Sequence, residues 1–451
     1  MKSSLKKFAV GVLSLTVATL TQATEIIHIV GSNGDRQATQ SAIGHLLGAE
    51  GTWTFQGVNG YATGTGGSAT VSATATGSNY GVWNGTYNST PVIIKVSFIG
   101  AAGAVAAVAG SLDAPFVQPE APANTGNLPD PTTGAHDTAV PDFGFSTNFQ
   151  ATTPFNGDYL GHTYVSLDET PVGISALQYV ASPGFPAGAN LTTQVAQQLY
   201  LAGAVPLSLI TGNSADENKI VYALGRNSDA GQRLASYAEF GLGANATVQV
   251  WFPTTNPAPN PITANTPTAT PTGQVAAAGS VPKYGGTVEN IALWPIQTVS
   301  GVNSGSLGNG GFTTGADLAP YLTTVLAPAA YKKRSSSAVG GYFIGYVTPG
   351  DYLSRIVKDG IPEANRGVPL KWNGVDYSES NLKNGTYTAW LYNRIIKRTG
   401  ELEDGSLKAQ FFASLRDQIL QTDATQGGGL KIDENVRVER YTDGGNVFPL
   451  Y

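Results

Sequence analysis

The chain has 451 residues, contains no cysteine and carries a formal net charge of −6, with only 12% of its residues charged. The lack of cysteine excludes disulfides, thiolate metal sites and cysteine nucleophiles, and the acidic balance argues against a nucleic-acid partner. Hydrophobic residues make up 41% of the chain, which is too much for a disordered protein, so we expect two or three globular domains.

The first 23 residues have the pattern of a cleavable export signal. Three lysines precede an apolar run over residues 8–20, and Ala23 supplies a small residue of the kind that a signal peptidase recognises. A membrane anchor or a core helix is the alternative, but this run is too short to cross about 30 Å of hydrocarbon. We predict a signal peptide over residues 1–23, no lipid anchor, no membrane insertion of the mature chain, and a periplasmic or secreted location.

The next elements predict a strand, a turn and a helix, followed by a β-rich stretch. The apolar segment Glu25–Val30 is typical of a strand, the turn GSNGDR follows it, and apolar residues then recur at helical spacing. Residues 53–98 alternate Thr, Gly and Ser with apolar residues, which predicts a hairpin or meander that leads into a strand. Residues 100–110 (GAAGAVAAVAG) predict a second small-residue turn and a short helix.

Later segments repeat this alternation. Residues 113–153 are rich in Pro, Asn, Asp and Gly and predict a crossover between lobes, and helical spacing returns at residues 192–202. The strand-like residues 219–224 lead into a third turn at residues 225–233 and another helix. Residues 253–272 are rich in Pro and Thr and predict an exposed loop or linker, because proline lacks an N–H donor. The whole pattern predicts an α/β fold with a β-rich insertion.

The three turns, at residues 31–36, 100–103 and 226–232, share one construction. In each, a strand ends, small or amide residues form the turn, and a helix begins. The start of a helix presents unpaired N–H groups and about half a positive charge, so small residues there let an anion approach the backbone. Arg226 adds a guanidinium that can bind an oxyanion through two hydrogen bonds. A single turn of this kind is usually a simple connection, but three together indicate an anion site.

Known catalytic and nucleotide-binding patterns are missing. None of the three turns has the G-x-G-x-x-G order of a dinucleotide loop, and the chain has no G-x-x-x-x-G-K-[ST] or G-x-S-x-G sequence. The four histidines do not have metal-ligand spacing; they are His28, His45, His136 and His162. We therefore predict that the protein is not an enzyme and that it holds no metal and no cofactor.

Five segments carry a resemblance to a known family. GRNSDAGQR (225–233) is similar to a G-R-D-x-x-S-G-T-R motif, FIGYV (343–347) to an I-G-Y-V strand, and GSLDAP (110–115) to G-A-S-D-A-P. LKNGTYTAW (382–390) resembles an x-x-G-x-Y-P segment, and PLSLITGNSAD (206–216) resembles a motif of secreted paralogues in Verrucomicrobia-like bacteria. In this order they resemble the periplasmic phosphate-binding proteins of ABC importers, in scattered pieces over most of the chain.

This resemblance implies a two-lobed periplasmic-binding-protein fold of type II, in which the ligand is held between two α/β lobes. We expect residues 24–118 and 351–451 to form the first lobe, with the β-rich insertion. We expect residues 119–350 to form the second lobe, with the Pro/Thr-rich insertion at 253–272. The implied function is capture of phosphate or another small oxyanion for an ABC permease.

The resemblance also implies roles for individual residues. Arg226 would bind the oxyanion, and Gly231 and Gln232 would offer backbone N–H groups at a helix start. Asp113 would accept a hydrogen bond from a protonated oxyanion, which distinguishes hydrogen phosphate from sulfate. The first lobe would contribute two more ligand-binding residues, Ser32 and Asn33.

Several positions depart from the family pattern. Ala230 and Gln232 replace a serine and a threonine in the third turn, Ala101 replaces a serine in the second, and Asp35 places a carboxylate beside the first. Each lost hydroxyl removes about 0.5–1.5 kcal/mol of hydrogen bonding. The alternative function is therefore an exported structural or surface protein that retains the fold with a degenerate ligand site. In that alternative Arg226 pairs with an internal carboxylate such as Asp229 or Asp113.

Overall fold

The computed structural model describes residues 23–66, 70–118, 127–244, 246–254, 283–294, 310–402 and 404–450. The predicted signal peptide lies outside these residues, apart from Ala23, and so does most of the Pro/Thr-rich segment. Within the described ranges, no helix has both the length and the apolar character needed to cross a membrane.

The strands and helices alternate along the chain. The first strands are β1 (Glu25–Val30), β2 (Thr52–Gly57), β3 (Gly60–Thr65), β4 (Tyr80–Tyr87), β5 (Thr90–Ser97), β6 (Ala114–Val117), β7 (His136–Ala139), β8 (Phe143–Ser146), β9 (Gly157–Tyr159), β10 (His162–Tyr164), β11 (Leu167–Ala176), β12 (Gln178–Ala181) and β13 (Asn190–Leu191). The remaining strands are β14 (Ala204–Pro206), β15 (Lys219–Ala223), β16 (Trp251–Thr254), β17 (Thr287–Val288), β18 (Asn290–Leu293), β19 (Val325–Leu326), β20 (Gly340–Val347), β21 (Val368–Pro369), β22 (Lys371–Trp372), β23 (Trp390–Arg398), β24 (Val438–Glu439) and β25 (Phe448–Pro449). The helices are α1 (Arg36–Gly48), α2 (Ala73–Gly77), α3 (Ala101–Ala109), α4 (Thr193–Ala202), α5 (Ser208–Thr211), α6 (Gly231–Glu239), α7 (Gly315–Leu318), α8 (Pro328–Tyr331), α9 (Pro349–Asp351), α10 (Glu379–Lys383) and α11 (Leu407–Gln421).

The larger sheet has eight strands in the order β11-β23-β8-β1-β5-β4-β2-β3. Strand β1 runs parallel to β5 and β8, whereas β4, β2 and β3 form an antiparallel meander in the region where residues 53–98 predict one. Helices cover both faces of this sheet. Ile29 packs in a cluster with α1 and α11, and its neighbour Val30 packs in a cluster with α3, because successive side chains of a strand point to opposite faces.

The smaller sheet has five strands in the order β14-β15-β20-β12-β21, with β15 parallel to β20. Its core is rich in aromatic side chains, including Tyr200 of α4 and Tyr237 of α6. The two sheets and their helices confirm the predicted α/β class.

The sheet order differs from the sequence-based lobe boundaries at two strands. Strands β8 and β11 fall within residues 119–350, which we assigned to the second lobe, but they lie in the larger sheet between and beside strands of the first. The loop-like composition of residues 113–153 conceals β8, whose four residues FGFS are all buried. The assignment of the chain to two lobes stays a prediction.

The start of the Pro/Thr-rich segment also differs from the prediction of an exposed loop. Pro253 and Thr254 are buried and end strand β16, which pairs with β18 alone. Proline is tolerated here because a strand of a two-stranded ribbon has one edge that needs no N–H donor. Residues 255–272 lie outside the described part of the chain.

Candidate functional site

A cavity of about 950 Å³ lies at the carboxyl ends of parallel strands from both sheets. The turns after β1 and β5 line one side of it, and the segments after β15 and β20 line the other. This is the position at which open α/β sheets bind ligands. All six residues that the sequence analysis proposed for a site lie on the wall of this cavity: Ser32, Asn33, Asp113, Arg226, Gly231 and Gln232.

The three predicted turns meet directly. The N–H of Gly100 donates to the carbonyl oxygen of Gly31 at 3.1 Å, and the N–H of Ala102 donates to the carbonyl oxygen of Asp229 at 3.3 Å. A methyl group added to Gly231 would lie 1.7 Å from Oγ1 of Thr147, so only glycine allows α6 to start this close to the end of β8. Strands that are distant in the sequence therefore bring all three turns to one place.

Arg226 is held in a fixed position beside the start of α6. Its side chain is buried, with the residue 4% exposed. Nε donates to the carbonyl oxygen of Phe312 at 3.0 Å, Nη2 donates to that of Thr313 at 2.8 Å, and Nη1 donates to Oε1 of Gln232 at 2.6 Å. Since a guanidinium has five N–H groups, one N–H on each Nη nitrogen is left over among the described contacts. Burial lowers the pKa of Arg226, and the nearby charge of Asp351 opposes that effect.

Asp351 is the carboxylate nearest to this guanidinium. A methyl group at Gly315 would lie 2.1 Å from Oδ2 of Asp351 and 3.6 Å from Nη1 of Arg226, so both groups face the same point. Burial raises the pKa of Asp351, and the charges of Arg226, Arg355 and Arg36 oppose this shift. Within the described residues no carboxylate oxygen lies within 4 Å of the guanidinium nitrogens of Arg226. The direct pairing with Asp229 or Asp113 that the structural alternative requires is therefore not observed.

The first-turn residues are engaged in local contacts. The Ser32 hydroxyl accepts a hydrogen bond from the N–H of Gly34 at 3.1 Å and lies 3.4 Å from Oγ1 of Thr147. Oδ1 of Asn33 is buried and has no hydrogen-bond partner among the described residues. The Ser32 hydroxyl thus stabilises the turn itself, and its contribution to a ligand is smaller than the family resemblance implies.

Asp35 does not place a negative charge in the cavity, contrary to the expectation that it would repel an anion. The residue is 2% exposed and faces a separate small void lined by Phe145, Val172 and Ala424. Burial raises the pKa of Asp35 well above its ordinary value, opposed by the charge of Arg394. The neutral carboxylic acid is therefore favoured, and an anion in the large cavity is not repelled by a full charge at this position.

Both ends of α6 are tied to the C-terminal segment. Asn148 donates through Nδ2 to the carbonyl oxygen of Gly231 at 3.3 Å and to Oδ2 of Asp443 at 3.2 Å. At the other end, Nη1 of Arg440 lies 2.5 Å from Oε1 of Glu239, and both side chains are almost fully buried. The helix start that carries Gly231 and Gln232 is thus held by residues about 200 positions away in the sequence.

Sequence reasoning missed several residues of the wall. They are Arg36, Thr147, Asp351 and Arg355. One of them had a signal: Thr348-Pro349-Gly350-Asp351 has the Thr-x-x-Asp spacing of a helix start, and Oγ1 of Thr348 accepts the N–H of Asp351 at 3.1 Å. The described residues contain no group of three or more His, Asp or Glu side chains suited to a metal ion.

Comparisons with known proteins add distant structural matches. No family model and no curated protein matches the chain. An ABC-type phosphate transport receptor from Vibrio cholerae is similar over 90% of this chain and 99% of its own, with 10% sequence identity and a TM-score of 0.43. PstS from Borrelia burgdorferi is similar over 91% of this chain and 99% of its own, with 10% identity and a TM-score of 0.39. At these values the α/β class stands on the sheets and helices of the chain itself.

Proposed function

We propose that the protein is an exported solute-binding protein that captures phosphate or another small oxyanion in the cavity and presents it to an ABC permease. The observation that carries this proposal is the buried guanidinium of Arg226, which has unused N–H groups beside the start of α6. The N–H groups of Gly231 and Gln232 have no acceptor among the described residues, so they add hydrogen-bond donors and the positive end of the helix dipole.

Two further features support an oxyanion as the ligand. Gln232 orients Arg226 through a 2.6 Å hydrogen bond, which prepares the guanidinium before a ligand arrives. Asp113 is an exposed carboxylate on the same wall and is suited to accept a hydrogen bond from a protonated oxyanion. The export signal over residues 1–23 would bring the chain to the periplasm or the outside of the cell.

The second candidate is a structural or surface protein with a degenerate site. The observations that favour it are the local use of the Ser32 hydroxyl and the carbonyl oxygen of Asp229 at the start of α3. Both occupy groups that an anion would otherwise use.

Isothermal titration with inorganic phosphate separates the two candidates. We expect measurable heat with the wild type and a loss of about 1.5–3 kcal/mol of binding free energy in Arg226→Ala, the range for a hydrogen bond to a charged group. Arg226→Lys keeps the charge but loses the planar fork, so it should restore only part of the affinity. Arg416→Ala, on the surface of α11, is the matched control and should bind as the wild type does.

Thermal melts without phosphate complete the test. Because Arg226 also bonds to the carbonyl oxygens of Phe312 and Thr313, its truncation should lower the melting temperature under either candidate function. The titration of the wild type is therefore decisive. If phosphate produces no heat and no increase in melting temperature, and sulfate and arsenate behave in the same way, the oxyanion function is wrong and the structural candidate is favoured.

A further inference from the structure

The cavity is much larger than an inorganic oxyanion requires. A volume of about 950 Å³ lies near the upper end of the roughly 300–1,000 Å³ range of pockets that enclose organic molecules of drug size. Phosphate has five heavy atoms and would occupy only the part of the cavity beside Arg226. The remaining volume is available to a covalently attached organic group.

The charges on the wall are mixed. Among the described lining residues there are three arginines and four aspartates, which gives 3 − 4 = −1 when all are ionised. A wall of this charge is poorly suited to a ligand that carries only negative charge. A ligand with a cationic group as well as an oxyanion would match it better.

The aspartates are not all beside Arg226. Asp351 faces that guanidinium, whereas Asp229 packs against the other side of the cleft, where its Cβ would lie 2.6 Å from a methyl group on Gly100. Asp229 and Asp130 both lie near the Tyr80 hydroxyl: burial raises the pKa of Tyr80 to about 12, and the two carboxylates add to the shift. Asp130, Asp229 and Tyr80 therefore form a second, acidic group on the cavity wall.

From the size of the cavity and the separation of its charges, we propose that the ligand is a zwitterionic organic oxyanion: a phosphate-type group held at Arg226, joined by a short chain to an amino group that binds at Asp130 and Asp229. Because the oxyanion must first bind Arg226, this assignment rests on the proposed function. Asp130 accepts hydrogen bonds from the backbone N–H and hydroxyl of Thr132, which hold its carboxylate in place on the wall.

The test compares three probes that share a phosphate group. They are inorganic phosphate, glycerol 3-phosphate with a neutral tail, and phosphoethanolamine with an ammonium tail. We expect phosphoethanolamine to bind at least about tenfold more tightly than glycerol 3-phosphate in isothermal titrations, because a charged hydrogen bond is worth at least that factor. The preference should weaken as salt is added, since Asp130 is exposed and its charge is screened.

Two variants assign the preference to the acidic group. In the double variant Asp130→Asn and Asp229→Asn, the preference should fall to within about threefold while the affinity for glycerol 3-phosphate is retained. Asp130→Asn alone, at an exposed position, provides the answer if the double variant does not fold. Asp158→Asn, a carboxylate outside the cavity lining, is the control and should keep the preference.

Each other outcome overturns a defined part. If the two phosphate esters bind equally, the zwitterion assignment is wrong and the oxyanion function stands. If phosphoethanolamine is preferred but the variants keep that preference, the acidic group is not its binding site and the assignment fails. If none of the three probes binds, the oxyanion function fails as well.

Discussion

Helices α3 and α6 both begin at the cavity, have the same nine-residue length and follow turns of similar composition, but they are used differently. At the start of α3, the carbonyl oxygen of Asp229 accepts the N–H of Ala102, so the third turn docks onto this helix. At the start of α6, the N–H groups of Gly231 and Gln232 have no such acceptor among the described residues. One helix start serves assembly of the cleft, and the other is available to a ligand.

The two helices are also held by different forces. All nine residues of α3 are buried in an apolar cluster with Val30 and Phe116, so small side chains and close packing are enough to position it. Helix α6 is held by buried polar contacts at both ends, to Asn148 and to Arg440. We therefore expect α6 to be the more sensitive of the two to single polar substitutions and to pH.

The largest expected effect is that of Arg440→Ala. At pH 8 this change leaves Glu239 without its ion-pair partner, and breaking a buried pair typically costs about 3–5 kcal/mol. The free energy of unfolding from urea titrations measures the loss. Arg437→Ala, an exposed arginine three residues away, is the control and should change stability by less than about 0.5 kcal/mol. Similar stabilities of the two variants would contradict the role assigned to Arg440.

Gly231→Ala tests how closely α6 approaches the larger sheet. The new methyl group would lie 1.7 Å from Oγ1 of Thr147 and 2.7 Å from Oδ1 of Asn148, which forces the helix start to move. We expect a loss of about 3 kcal/mol of stability, at the upper end for an overpacked site, together with loss of phosphate binding. Gly243→Ala, where a methyl group would have no neighbour within 4 Å, should be close to neutral. A stable Gly231→Ala variant would show that the close approach does not fix α6.

The pH dependence of stability should follow Glu239. Burial raises the pKa of this carboxyl to about 7, opposed by Arg440. A folded-state pKa above the unfolded value makes the contribution largest at low pH, and it is lost as the pH rises from about 4.5 to about 7. The raised pKa values of Glu169 and Asp351 act in the same direction. We expect the free energy of unfolding to fall by about 2 kcal/mol between pH 5 and pH 8.

Glu239→Gln is the variant that assigns this slope. Urea titrations at pH 5, 6, 7 and 8 should show a smaller decrease in the variant than in the wild type. Asp158→Asn, at an exposed carboxylate, should leave the slope unchanged. Equal slopes in the wild type and Glu239→Gln would assign the pH dependence to other groups.

The smallest expected effect is that of Gln232→Ala on oxyanion binding. The change removes the side-chain acceptor of Nη1 of Arg226 but keeps the backbone N–H at the start of α6. Phosphate affinity should fall by about 1 kcal/mol, the typical worth of one hydrogen bond. Gln197→Ala, on α4 and away from the cavity, is the matched control for titration. An unchanged affinity would show that Gln232 does not position the guanidinium.

Parts of the fold could be predicted because their signals are local. The apolar run of β1 and the alternation of residues 53–98 depend on periodicity, which neighbouring residues determine. Strand β8 could not be predicted in the same way. Its four residues FGFS stand in a loop-like stretch, and they form a strand only because β1 and β23 provide hydrogen-bond partners on either side.

The candidate site divides in the same manner. The sequence by itself determined the α/β class, the three small-residue turns and Arg226 as the cation among them, since turn chemistry and helix starts are written in neighbouring residues. Only the tertiary structure decided that Asp351 faces Arg226, that Asp35 points away from the cavity, and that Asp229 lies on the opposite side from the guanidinium. Those relations depend on how strands far apart in the chain pair and pack, and no local pattern records such distances.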